Sequence, residues 1–292
     1  MTNDMTRGRI LPQLISFTIP LVLGNLFQLT YNAADSMIVG RYLGGQALAA
    51  VGTAGPIMNL AILFISGMCM GAGILMSTQY GAKQQDVLER QISTTLLSGL
   101  VFSFFVTLSM MVLAKPVLTL IRVPEEILDS ACGYLRIIFT GFLFTFAYNF
   151  FSSTLRALGD SKASLYFLVI SSVFNIAGDL LFVAVFRWGV NGSALATVLS
   201  QMICCLCCMI YIQKKVPLLR LGKRWLIFDK CLLSRTFSFG ITSALQLMCV
   251  QLGKVCVQSM VNMQGIAFMA AFPAVTRVDD FALTPQQNIA PA

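Results

Sequence analysis

The sequence predicts an all-α protein, a polytopic transmembrane helical bundle, and three observations carry that prediction. Hydrophobic residues fill 57% of the 292 positions and charged residues only 11%, against roughly 25% charged in an ordinary soluble domain. The Lys and Arg residues stand as posts between uncharged blocks rather than being spread evenly. Most of those blocks reach the ~20 residues of helix that a hydrocarbon core of roughly 30 Å requires.

Taken in order, the uncharged stretches place six helices with cores near 12–38, 48–78, 91–113, 134–155, 164–186 and 191–212. The first lies between Arg9 and Arg41 and contains one acid, Asp35. Pro20 sits inside it, where a missing N–H predicts a kink. The second contains "SGMCMGAG", whose Gly67, Gly71 and Gly73 suit close helix packing or a moving hinge. The third ends at Lys115 and the fourth is fenced by Arg136 and Arg156. The fifth is interrupted only by Asp179, and the sixth holds the run "QMICCLCCMI". A seventh helix follows at about 236–259, and an eighth begins near 265. The run after Arg7 and Arg9 is far longer than the h-region of a cleaved signal peptide, so the first segment is read as a span.

The net charge of +8 is explained by topology rather than by nucleic acid. With the N-terminus inside, cytoplasmic segments hold thirteen Lys and Arg residues and the opposite loops hold four, Arg41, Lys115, Arg122 and Arg187. This asymmetry predicts a cytoplasmic N-terminus. Seven of the thirteen fall between Lys214 and Arg235, which marks 214–234 as a basic loop joining an N-terminal unit, 1–213, to a C-terminal one, 235–292. The second unit echoes the first: "LISFTIPLVLGNLFQLTYNAADSMIVG" at 14–40 is answered by "TFSFGITSALQLMCVQLGKVCVQSMVN" at 236–262. A repeated six-helix unit is a common plan of secondary transporters, and a second unit of equal length would need roughly 150 residues more. The sequence is therefore read as truncated in its eighth helix.

No histidine is present, which removes the commonest acid–base group and metal ligand. Cys204, Cys205, Cys207 and Cys208 lie inside an uncharged span, where cysteine packs as a small hydrophobe, and the remaining cysteines show no paired spacing that predicts disulfides. An intramembrane enzyme would need a nucleophile with a base, or a metal cluster, and no HExxH or GxSxG occurs. The protein is therefore not read as an enzyme.

The chemistry is concentrated in two acids at membrane depth. Asp35 and Asp179 each stand in an apolar span, and Asn175 shares a helix face with Asp179 at i, i+4. An ionisable residue in a bilayer is costly and faces a bundle interior or wet cavity. These carboxylates, with the amide and a threonine hydroxyl, suit a hard cation such as Na+ or a transferable proton. The alternative is local pairing, of Asp35 with Arg41 and of Asp179 with Arg187. Asn25, Gln28, Tyr31 and Asn32 form a loose ladder on the first helix, matched by Asn149 on the fourth. They either bind helices together or line a pocket for an amphiphilic solute. Lys254 sits in the seventh span, Arg277 and Asp280 are spaced for an internal ion pair, and "RALGDSK" at 156–162 reads as a tight turn.

In this order the motifs "IPLVLGNLFQLTYNAADSMIVGR", "RALGDSK", "NIAGD", "GVNGSALATVLSQ" and "RVDDFALTPQQ" resemble the multidrug and toxic compound extrusion (MATE) transporters, most of all their DinF-like bacterial and archaeal branch. The resemblance implies two six-helix lobes around a V-shaped cavity in the cell membrane. It implies export of organic cations or amphiphilic drugs in exchange for Na+ or H+, by a protein that is monomeric when full length, with the bilayer and a small solute as its only partners and no cofactor beyond the coupling ion. It carries a cation or proton site onto Asp35, Asn175, Asp179 and Thr197, a bending hinge onto Pro20 and substrate-pocket positions onto Gln28, Tyr31 and Asn149. Lys254 departs from the family branch that carries an acid in the seventh helix, so no second cation site is expected there. The wider superfamily offers an alternative, export of a lipid-linked or polyanionic substrate.

Overall fold

The computed structural model describes residues 10–216 and 227–289, and these are helical throughout, joined by short turns. In order they are α1 (Ile10–Leu43), α2 (Gly45–Gly81), α3 (Gln85–Leu120), α4 (Glu125–Thr140), α5 (Phe142–Ala157), α6 (Ser161–Asp179), a π-helical segment (Leu180–Val185), α7 (Val190–Lys215), α8 (Lys230–Asn262) and α9 (Ile266–Ile289). Among the described residues, α2, α3, α6 with its π-helical continuation, α7 and α8 are each long and apolar enough to cross a membrane, and the α4–α5 pair adds a sixth. α1, with 34 residues, rises about 51 Å, more than a hydrocarbon core. The chain is a multi-pass membrane protein.

Burial follows the logic of a lipid solvent. Large apolar side chains face outward, with Leu120 80%, Val112 70% and Phe104 61% exposed. The interior combines aromatics such as Phe139 and Phe150 with small hydroxyls, among them Ser103, Ser152, Thr154 and Ser193. Small polar residues are used inside such bundles because they let backbones approach and bond across helices.

Two features depart from the sequence expectation. The fourth span is not one helix over 134–155: it divides at Gly141 into α4 and α5, bent by 48°. A Cβ at Gly141 would lie 2.6 Å from Val198 Cγ2 on α7, so the glycine lets α7 press into the bend. α4 also begins earlier than expected, after Pro124, with Glu125 and Glu126 in its first turn, where acids suit the positive helix end. The fifth span ends in the π turn at Leu180–Val185, directly after Asp179. α1, by contrast, continues unbroken through Pro20.

The turn read from "RALGDSK" is built from its own residues. Gly159 takes φ +86°, and Asp160 then caps α6, its Oδ1 accepting from Ala163 N at 3.1 Å while its Oδ2 accepts from Tyr211 O–H at 2.7 Å. Cys204, Cys205 and Cys208 are buried on α7, and the Cys204 thiol donates to the Phe167 carbonyl at 3.2 Å.

α8 lies along α2, with backbones meeting where Gly67 and Gly71 face Ala244 and Gly240; a Cβ at Gly67 would stand 2.3 Å from Ala244 Cα. The same helix is tied to α3 by Gln91, which donates to Thr236, and by Asp229 N–H, which donates to Thr94 Oγ1 at 3.0 Å. At its other end Asn262 donates to the Ile121 carbonyl at 2.8 Å. α9 rests on α1 and α2. Residues 217–226 of the basic loop lie outside the described residues, as do the side chains of Arg277 and Asp280 and with them their expected ion pair.

Candidate functional site

α1, α6 and α7 meet near the end of α1, and their polar side chains converge there. Asp35 is half-buried on α1 and its Oδ1 accepts from Ser193 Oγ of α7 at 2.8 Å. Thr197, one turn further along α7, accepts from Asn175 Nδ2 of α6 at 3.2 Å and donates to the Ser193 carbonyl at 3.2 Å. Asp179 is fully buried on α6, with Asp35 and Ser193 as the polar groups facing it. Among the described residues neither Asp179 oxygen has a hydrogen-bond partner of ordinary geometry, and Asn175 Oδ1 has none either. Arg187 is exposed beyond the π turn, so the pairing of Asp179 with Arg187 is not formed.

Helical spacing explains why this works locally. Asn175 and Asp179 are i, i+4 on α6, and Ser193 and Thr197 are i, i+4 on α7, so each pair lies on one face. Close approach of the two helices is secured by Gly178, whose Cβ would sit 3.0 Å from that of Ala196. The result is a cluster of hard oxygen donors: two carboxylates, an amide carbonyl and two hydroxyls. Three buried oxygens without donors form an acceptor-rich pocket of the kind that holds an oxygen-loving cation or shares a proton.

The cluster opens on a cavity of about 1120 Å³. Asp35, Asn175 and Thr197 line it, as do Pro20, Gln28, Tyr31 and Asn149. Every cation-site, substrate-pocket and hinge position expected from the sequence, except the more deeply buried Asp179, therefore lines one space. Asn149 is held by Ser66, which donates to its Oδ1 at 3.2 Å. Sequence reasoning missed Ser193, the hydroxyl that joins α7 to Asp35; its only trace was a position one turn before Thr197. It also missed Arg156 as a cavity residue, having assigned it to a turn. Lys254 and Gln251 of α8 also line the cavity.

A bundle with acids between its helices and a large internal cavity defines a transporter-like membrane fold. Residues 20–181 match the MatE family model, and the chain belongs to the MatE family. It is 35% identical over 288 residues to the probable multidrug resistance protein YpnP of Bacillus subtilis, covering 97% of this chain and 63% of that protein. It is 31% identical to the probable multidrug resistance protein YoeA of the same organism, covering 99% of this chain and 64% of the relative. The chain thus spans just under two thirds of the length of these relatives. Among solved structures, an outward-facing multidrug resistance MATE family transporter of the MOP superfamily superposes with a TM-score of 0.88 at 22% identity, over 99% of this chain and 64% of that one. A MOP superfamily transporter from Pyrococcus furiosus, described as having a binding pocket of reverse polarity, superposes at 0.87 with 23% identity, again over 99% of this chain and 64% of that one.

Proposed function

We propose that the chain forms the cation-coupled part of a secondary exporter that moves organic cations or other amphiphilic solutes outward in exchange for entering Na+ or H+. The observation that carries this reading is the acceptor-rich cluster of Asp35, Asp179, Asn175 and Thr197 beside a cavity large enough for a drug-sized solute. Gln28, Tyr31 and Asn149 serve as polar contacts for the solute. Pro20, in the helix that carries Asp35, is the point at which ion binding is transmitted as bending. The names of the Bacillus relatives support the drug-efflux assignment. The thirteen-to-four charge asymmetry supports placement in the cell membrane with the N-terminus cytoplasmic. No chemical conversion or cofactor is invoked, and the protein acts as a monomer.

The test is efflux of a fluorescent organic cation from proteoliposomes, driven separately by a Na+ gradient and by a pH gradient. One gradient should drive efflux, and Asp35→Asn and Asp179→Asn should abolish it while leaving membrane insertion intact. Normal efflux in both variants would overturn the site assignment.

A further inference from the structure

Arg156 stands in the last turn of α5 and lines the same cavity as Asp35, but at the other end. Its contact Ser164 and the acid Asp179 are fifteen residues apart on α6, about 22 Å of helical rise. The guanidinium uses one nitrogen, Nη1, to donate to Ser152 Oγ at 3.1 Å and to Ser164 Oγ at 3.5 Å. A guanidinium carries five N–H donors, and among the described residues no protein acceptor takes those of Nε and Nη2. Among the described residues no carboxylate lies within ion-pair distance of Arg156. The nearest acid in sequence, Asp160, is already committed to the α6 N-terminus and to Tyr211. Arg156 is only part-buried on the cavity wall, so its unspent N–H donors are open to an anionic group in that space. A second cation, Lys254, lines the cavity from α8, and among the described lining residues Asp35 is the single acid. Asp35 belongs to the ion cluster at the other end, so among the described residues no acid lines the Arg156 end of the cavity.

We propose that the Arg156 end of the cavity is an anion subsite, and that the solute taken by this protein is an amphiphile bearing a carboxylate or phosphate head. The planar fork of the guanidinium binds such a head through two parallel N–H···O bonds, which a lysine cannot reproduce. Ser152 and Ser164 fix the fork from behind, and the apolar body extends along the cavity toward α1 and α2. The inference rests on the transporter reading and narrows its solute class from organic cations and other amphiphiles to amphiphiles that carry an anionic group.

A pair of rhodamine dyes identical except for a free carboxylate in one and its ethyl ester in the other tests this directly. Binding is read by fluorescence anisotropy on the purified protein and efflux by the liposome assay. The carboxylate dye should bind about tenfold or more tightly than the ester, and Arg156→Gln should erase that preference. Arg156→Lys should fold, keep the charge and recover only part of the preference. Equal binding of the two dyes by the wild type, a preference that survives in Arg156→Gln, or binding of neither dye would overturn the proposal. Full displacement of the carboxylate dye by inorganic phosphate alone would move the site to a free anion and overturn the amphiphile assignment. Efflux of both dyes without preference would leave the transporter reading standing and refute only the subsite. Arginine-dependent binding without efflux under any gradient would do the reverse.

Discussion

Alanine at Gly71 would test the seam between α2 and α8, the contact that fixes one wall of the cavity. Its Cβ would fall 2.4 Å from Gly240 N, 2.5 Å from Gly240 Cα and 2.7 Å from Phe239 C, all backbone atoms. Ordinary heavy-atom contacts lie near 3.5 Å, so one helix must retreat by about 1 Å. Overpacking of this kind costs about 1–3 kcal/mol, and removing a glycine from a helix interior returns about 0.5–1 kcal/mol. The net loss is about 1–2 kcal/mol, which at roughly 2–4 °C per kcal/mol predicts a fall in Tm of several degrees. Gly55, on the same helix with nothing within 4 Å of its would-be Cβ, supplies the control, and Gly55→Ala should be neutral or slightly stabilising. Thermal unfolding of both variants in one detergent decides the matter. If Gly71→Ala unfolds at the same temperature as Gly55→Ala, the two backbones do not meet as described.

Two further outcomes follow from single hydrogen bonds. Ser193→Ala removes the donor to Asp35, and a bond to a charged group is worth about 1.5–3 kcal/mol; the concentration of coupling ion giving half-maximal efflux should rise about tenfold or more, Ser193→Thr should restore it, and an unchanged ion dependence would remove Ser193 from the site. Tyr211→Phe removes one of the two bonds that Asp160 accepts and should cost about 1 kcal/mol; Asp160→Ala removes the helix cap as well and should cost about twice as much, while equal losses of Tm would mean that the cap contributes nothing.

The spans were legible because charge is so costly in lipid that its positions delimit them: Arg136 and Arg156 bracket the fourth as clearly as Lys162 and Arg187 bracket the fifth. The break at Gly141 was not, since a glycine inside an apolar run reads equally as a packing site, and the residue that makes it a break, Val198, lies on another helix. Asp35 and Asp179 stood out as acids without neighbours in sequence. Ser193 did not, because a serine in an apolar helix is ordinary until the carboxylate across from it is known. Arg156 was hidden for the opposite reason: a basic residue at a helix end is what the charge asymmetry of membrane loops predicts, and only its place on the cavity wall separates it from an anchor.

The π-helical turn after Asp179 has a consequence for how the acid is aimed. Such a turn is an α-helix carrying one surplus residue, and each residue of an α-helix advances the chain by about 100°. The stretch Leu180–Val185 therefore sets the rotational phase between Asp179 and the aromatic trio Phe182, Phe186 and Trp188, whose rings pack together with centroids 5.2–6.1 Å apart. Gly192 fits against the backbone of Phe182, so that trio clamps the start of α7. Removing one residue between Leu180 and Val185 would restore a regular helix, yet turn the carboxylate by a quarter-circle or more relative to the clamp. The surplus residue is thus the register pin that keeps Asp179 pointed at Asp35.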